Sequence, residues 1–355
     1  MVSAGVRRGR VASRGLAAGS ILGAMRSRSL ARLLVAAAAL AALVAAELVT
    51  PAGAAPPLSA CPVFPADNYW HADVSDLPVL PQSDAYVDSI GRNAGLKADF
   101  GSGLWDGGPI GIPYMREDSA TRRVRVTFRY ADESDPGPYP VRVNPKIEGG
   151  PDGDGDRHIL AVDTEACRLY ELYDAHRAGG RRRWRAGSGA IYDLTSNALR
   201  PAGWTSADAA GLPILPGLVR YNEARRGAID HAIRFTAPVT RNTYVWPARH
   251  QASDRSDADL PPMGTWFRLK ADVDISGFSP EARAVLQALK VHGMILADNG
   301  SPWYLSGAPN GNWDNDALHA LGRLTGDDFE AVDSSCLRVA PNSGQVRATL
   351  PARCQ

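Results

Sequence analysis

The stretch "GMILADNGSPWYLSGAPNGNWDND" (293–316) gathers the side-chain types that bind and cleave sugars. Asp298 offers a carboxylate, and Trp303, Tyr304 and Trp313 offer flat rings able to stack on a sugar ring. The same stretch carries turn chemistry. Asn299-Gly300 lies between two strand-like runs, the strongest short hairpin signal. Asp314 or Asn315 stands where a helix cap belongs. The expectation is a hairpin and a cap that hold three rings and one acid at the edge of a cleft.

Glycoside hydrolysis needs a second carboxyl group. In "CRLYELYD" (167–174), strand alternation puts Cys167, Leu169, Glu171 and Tyr173 on one face, the inner one. Burial raises a carboxyl pKa, so Glu171 is the expected general acid. Its expected partner is Asp132, Glu133 or Asp298. Asp132 and Glu133 lead into a loop stiffened by Pro136, Pro138 and Pro140. Trp204 and Asp208 lie in a long segment rich in Pro and Gly (194–221) and are expected to wall the site.

Histidines give weaker signals. His231 shares a face with Ile229, Ile233 and Phe235, where a satisfied core residue is the ordinary outcome; His158 starts a strand and His250 ends "VWPARH". His158 or His231 with a tyrosine could serve a polysaccharide lyase, and the three histidines with carboxylates could hold a metal. In "GGPDGDGDRH" (149–158), Asp152, Asp154 and Asp156 match the first half of a calcium loop, but Arg157 replaces the required glycine, which excludes an EF-hand. No cofactor is expected and no metal ligand is assigned; a looser calcium site near Asp152, Asp154 and Asp156 is the alternative. The chain contains no G-x-S-x-G elbow, H-E-x-x-H, phosphate loop or dinucleotide fingerprint.

The elements that must position these groups read mostly as strands. "RVRVTFRY" (123–130), "RHILAVD" (157–163), "CRLYELYD", "GAIYDL" (189–194), "AIRFTA" (232–237), "TYVWPA" (243–248), "TWFRLKADVDI" (265–275), "GMILAD" and "WYLSG" are bounded by Gly, Pro, Asn and Asp. Helices are few: one from Ser279 and Pro280 to Gly293, one after Asp314, and a shorter one from about Ser83. The fold class is mainly β, a β-sandwich or jelly-roll-like single domain with a few peripheral helices, with α+β as the alternative.

Seven arginines precede the apolar run "LLVAAAALAALVAA" (33–46) and the small residues "TPAGAAPP". This is the layout of a secretory signal, with the leader at 1–54, the start at Met1 or Met25, and a single domain at 55–355. The run is shorter than the roughly 20 residues of a membrane helix, so no stable membrane insertion is expected after cleavage. Losing seven Arg and one Glu turns a balance of 39 basic and 38 acidic residues into a net charge of about −5. That gives no electrostatic reason for a nucleic-acid partner. "RRRWR" (181–185) is the one basic knot, expected on an exposed loop beside Gly179, Gly180 and Gly187. The four cysteines all follow the leader. Three pairings are possible, of which Cys61–Cys167 with Cys336–Cys354 is the simplest.

Several stretches, "YADESDPGPYP", "GDRHILAVD", "SNALRPAGWTSADAAGLPILPGLVRY", "HAIRFT", "LPPMGTWFRLKADVDISGFSP" and "MILADNGSPWYLSGAPNGNWDND", together resemble a group of secreted bacterial proteins that has no assigned reaction. The resemblance spans nearly the whole chain after the leader. It implies one exported domain and brings no catalytic residues. The reading is a secreted, monomeric carbohydrate-active enzyme, a glycoside hydrolase acting on an extracellular or cell-envelope polysaccharide. Its alternatives are a glycan-binding protein and a polysaccharide lyase.

Overall fold

Apolar runs punctuated by Gly, Pro and Asp become the strands of three main sheets in the computed structural model, which describes residue 58 and residues 61–179 and 183–354. The expected leader (1–54) lies outside the described residues. A six-stranded sheet runs in the order Lys97–Asp99, Tyr304–Ser306, Ile233–Ala237, Met294–Asn299, Trp266–Leu269 and Phe329–Val332. A four-stranded sheet orders Ser188–Asp193, Arg168–Tyr173, Ile159–Asp163 and Tyr114–Glu117. Another four-stranded sheet orders Tyr139–Pro140, Arg123–Phe128, Arg183–Ala186 and His176–Arg177. The architecture is mainly β with few helices. Its sheets are mixed: Ile233–Ala237 runs parallel to Met294–Asn299, and Tyr114–Glu117 runs parallel to Ile159–Asp163.

The sheet containing Arg168–Tyr173 is covered on both faces. Leu160, Val162, Leu169, Ala190 and Tyr192 join the large core, with Phe235, Phe267 and Leu296 of the six-stranded sheet. Ile159, Ala161, Tyr170 and Leu172, on the other face, meet Val124, Val126, Tyr139 and Trp184 in a smaller core. This sandwiching explains why Leu169 to Leu172 are buried without interruption, where a half-exposed strand would alternate. Of the basic knot, Arg181 and Arg182 lie outside the described residues, and the rest packs Trp184 into the smaller core. Arg183–Ala186 is a strand rather than an exposed loop: Trp184 is buried, Arg177 lies over its ring at 5.1 Å, and only the arginines face outward.

The helices form where their caps are written. Ser279 Oγ accepts the Ala282 N–H at 3.3 Å, Pro280 occupies the first turn of Pro280–Val291, and Gly293 ends it at φ +67°. Asp314 Oδ1 accepts from the Asp316 and Ala317 N–H groups to start Asn315–His319. Ser83–Ile90 packs against Phe329–Val332.

Asn299-Gly300 is not a hairpin. Met294–Asn299 and Tyr304–Ser306 do not pair, because Ile233–Ala237 lies between them, parallel to the first and antiparallel to the second. The Asn-Gly step instead wraps the end of that middle strand. Asn299 Nδ2 and the Gly300 N–H both donate to Ala237 O, at 3.2 and 3.0 Å. A Cβ on Gly300 would stand 2.9 Å from Thr236 Oγ1, which the closeness of this wrap does not allow.

Both disulfides form as the simplest pairing proposed, Cys61–Cys167 and Cys336–Cys354. No helix among the described residues is long and apolar enough to cross a membrane.

Candidate functional site

Ends of two sheets and the segment between them meet at a cleft of about 420 Å³. Its wall includes Tyr130, Glu133, Asp156, Asp208, His250 and Asp298, together with Tyr173 and the hydroxyl residues Ser188, Thr205 and Ser206.

Asp298 is aimed by an irregularity in its strand. Phe235 pairs with Leu296 but Thr236 pairs with Asp298, so Ala297 is an extra residue, a bulge that redirects the side chain after it. The Ala297 carbonyl accepts the Ala210 N–H at 2.9 Å, tying the bulge to the loop that carries Asp208. Within that loop Ser206 Oγ donates to Leu212 O (2.6 Å) and accepts the Asp208 N–H (2.8 Å).

One buried cation lies between the two acids. The Arg234 guanidinium grips Asp208 with a fork of 2.9 and 2.8 Å, donates to Ser306 Oγ at 2.7 Å, and reaches Asp298 Oδ2 with one bond of 3.2 Å. The Asp208 side chain is fully buried, while Asp298 keeps 23% of its side-chain surface open. Burial, and after it the Asp208 charge, push the Asp298 carboxyl up to about 7 despite Arg234. The shared arginine bonds the first carboxylate twice and the second once.

Glu133 ends the short turn Ala131–Glu133. Its Oε2 accepts the Thr205 N–H at 2.9 Å and stands 3.7 Å from His250 Nε2. The loop behind it is clamped by Arg200, which donates to Asp135 Oδ2 at 2.5 Å and to Glu133 O at 2.9 Å. Asp132, next to Glu133, is exposed and does not line the cleft.

The structure gives several other candidates structural roles. Glu171 does lie on the inner face but is sealed, at 0% exposure, with Oε1 accepting the N–H groups of Ile214 (3.0 Å) and Leu215 (2.9 Å). It caps the turn Leu215–Gly217 and is not part of the cleft wall. His158 spends both ring nitrogens, on Glu148 (2.5 Å) and Ala207 O (2.9 Å). Burial alone would push its pKa down, but the Glu148 charge and hydrogen bond, with the Asp156 charge, together outweigh that and lift it to about 9, which favours the cation and leaves the ring a poor base. His231 is also engaged at both nitrogens, by Ala232 O and Glu223, and burial pushes it down.

The rings are corrected in the same way. Trp303 is fully buried, stacked between Phe235 and Phe329 with Nε1 donating to Gly91 O, so it cannot meet a sugar. Trp313 is buried against Phe100 and Tyr221 and donates to Ala308 O. Tyr304 is half-buried under the Lys97 ammonium, and Trp204 is half-buried beside the Arg200 guanidinium; neither lines the cleft. Of the residues singled out in the sequence, Glu133, Asp156, Asp208, His250 and Asp298 come together in the cleft wall.

Sequence reasoning passed over Arg234, Tyr130 and Tyr173 as site residues. The signal for Arg234 was present: an arginine inside the apolar run "AIRFTA" demands a buried acid. Trp105 stands apart in a separate two-stranded sheet and does not line this cleft. It is 79% exposed at the tip of a hairpin whose Asp106-Gly107 turn has both φ angles positive. Asp152, Asp154 and Asp156 are exposed, and among the described residues no group of three His, Cys, Asp or Glu side chains converges on a metal position.

Glu171 has a measurable signature. Its folded value, raised by burial to about 7, lies above the ordinary value of 4.5. Between these the folded chain keeps a proton that the unfolded chain has shed, so this group's contribution to stability falls as pH rises from about 4.5 to about 7 and stays lost above. The loss is about 3 kcal/mol. Urea unfolding of wild type and Glu171→Gln at pH 4.5 and pH 8 should show their stability difference changing by about that amount, with the wild type losing ground at high pH. A difference that is the same at both pH values rejects this assignment.

No protein-family model, curated protein or solved structure matches the chain.

Proposed function

We propose that the chain is an exported glycoside hydrolase whose general acid is Asp298 and whose second carboxylate, nucleophile or base, is Glu133. The observation that carries this reading is the Asp298 carboxyl, raised to about 7 by burial and by Asp208, yet open to a cleft that also holds Glu133. An acid raised to about 7 in one cleft with a second carboxylate is the division of labour that glycosidic cleavage requires. Asp298 gives its proton to the leaving oxygen as the C–O bond breaks. As base, Glu133 takes one proton from the water whose oxygen becomes the new hydroxyl; as nucleophile, it bonds the anomeric carbon and is displaced by water, whose proton returns to Asp298. Tyr130 and Tyr173 offer ring faces and hydroxyls to a sugar. Export is supported by the arginine-rich, apolar N-terminal sequence and by two disulfides.

The cleft wall also includes His250 and Tyr130, which favours a lyase as the second reading, with elimination in place of water addition. A panel of soluble and insoluble polysaccharides, assayed for reducing ends and for unsaturated-sugar absorbance, separates the two. Hydrolysis predicts reducing ends without that absorbance, lost about 100-fold or more in Glu133→Gln. Release of unsaturated products, or undiminished release by Glu133→Gln, would overturn the assignment.

A further inference from the structure

A second cleft, of about 400 Å³, carries the opposite charge. Arg116, Arg142, Lys146 and Arg220 line it with Tyr114 and Tyr221. Two of the cations are matched inside the protein. Arg142 forks onto Glu117 at 2.7 and 2.8 Å, and Arg220 donates to Glu223 at 2.7 Å. The other two are not: among the described residues neither Arg116 nor Lys146 has a carboxylate within 4.0 Å. The Arg116 Nε is moreover buried without any hydrogen-bond partner. A buried guanidinium nitrogen without an acceptor costs stability. The exposed Lys146 ammonium lines the same cleft and adds a second charge that an anion there would meet. Such a concentration of positive charge is unexpected on a chain with a net charge of about −5 after the leader.

We propose that this cleft binds the acidic group of a saccharide, a carboxylate or sulfate on a sugar whose ring rests against Tyr114 and Tyr221. Guanidinium groups match such oxyanions with paired N–H donors, and tyrosine rings match the apolar faces of sugars. The identification of the ligand as a saccharide rests on the carbohydrate-active reading above; the unmatched charge does not. Chain segments link this cleft to the catalytic one. Lys146 is two residues from Glu148, the partner of His158, and Ala308 of this wall is two residues from Ser306, the partner of Arg234. An acidic polymer held here is the substrate class to which the hydrolase reading then points.

Calorimetric titration of the full chain after the leader with oligogalacturonate, a sulfated oligosaccharide and a neutral oligosaccharide of equal length tests this. The acidic oligosaccharides should bind about tenfold or more tightly than the neutral one, and the advantage should fade in about 0.5 M salt. Which of the two acidic probes binds better identifies the acidic group. Arg116→Gln/Lys146→Gln should weaken acidic binding by about 10- to 100-fold while leaving neutral binding unchanged. Lys146→Gln alone, at an exposed position, should weaken it without touching the fold. Equal affinity for acidic and neutral probes, equal affinity of variant and wild type, or inorganic sulfate binding as tightly as the acidic saccharides would each overturn the inference. Cleavage of a polymer with no preference for acidic probes rejects this site and spares the hydrolase reading. Tight acidic binding without cleavage of any polymer does the reverse.

Discussion

Asp208→Ala lowers the folding stability of the protein by about 3–5 kcal/mol, the cost of leaving a buried charge without its partner. The reason lies in how Arg234 is held. Its guanidinium is inside the protein, and the Asp208 fork supplies two of its four side-chain bonds. Removing that carboxylate leaves Ser306 Oγ and a single 3.2 Å bond to Asp298. Replacing both members, in Asp208→Ala/Arg234→Met, should recover much of the loss, since no buried charge then remains. Urea denaturation of the wild type, the single and the double variant checks this; a double variant less stable than the sum of its parts would contradict it. The single variant also changes Asp298. With the neighbouring negative charge gone and Arg234 released toward it, Asp298 ionises at lower pH, so the acid form disappears near neutrality.

On the proposed hydrolase reading, Asp298→Asn should lower kcat by about 10²- to 10⁴-fold, the contribution of a positioned general acid. The amide keeps the shape and can still accept from Arg234, as Asp298 Oδ2 does, so thermal unfolding should remain close to that of the wild type. In the wild type, activity should fall with rising pH above about 7, by about tenfold per unit, because only the protonated carboxyl can donate. The residual activity of the variant should lack this alkaline limb. A variant that retains wild-type turnover, or an unchanged limb in the variant, would remove Asp298 from the role of acid.

Much of the fold could be read from local pattern. The strands around residues 123–128, 159–163, 168–173 and 233–237, the Ser279 and Asp314 caps and both disulfides follow from alternation, capping chemistry and the simplest pairing. What escaped was non-local. Nothing near Asn299-Gly300 reveals that residues 233–237 insert between the strands it joins, because that pairing is made across about sixty residues of chain. Alternation correctly turned Glu171 inward but could not tell an acid facing a cleft from one sealed against backbone N–H groups. Trp303 and Trp313 look like sugar platforms by residue type alone, and only packing shows that their faces are already covered. Asp298 was within reach, whereas its acidity depends on Asp208, Arg234 and a bulge at Ala297, three separate parts of the chain.

The Cys61–Cys167 bond closes a loop that contains Glu133 and Asp156, while Asp208 and Asp298 lie outside it. The exposed turn at Asp152–Asp156 sits within that loop and is an open target for proteases. A single nick there leaves two fragments still covalently joined, with all the cleft acids on one cross-linked molecule. Such a molecule would run as intact under non-reducing conditions and separate only when its thiols are freed, so backbone cleavage alone would not dissociate the site.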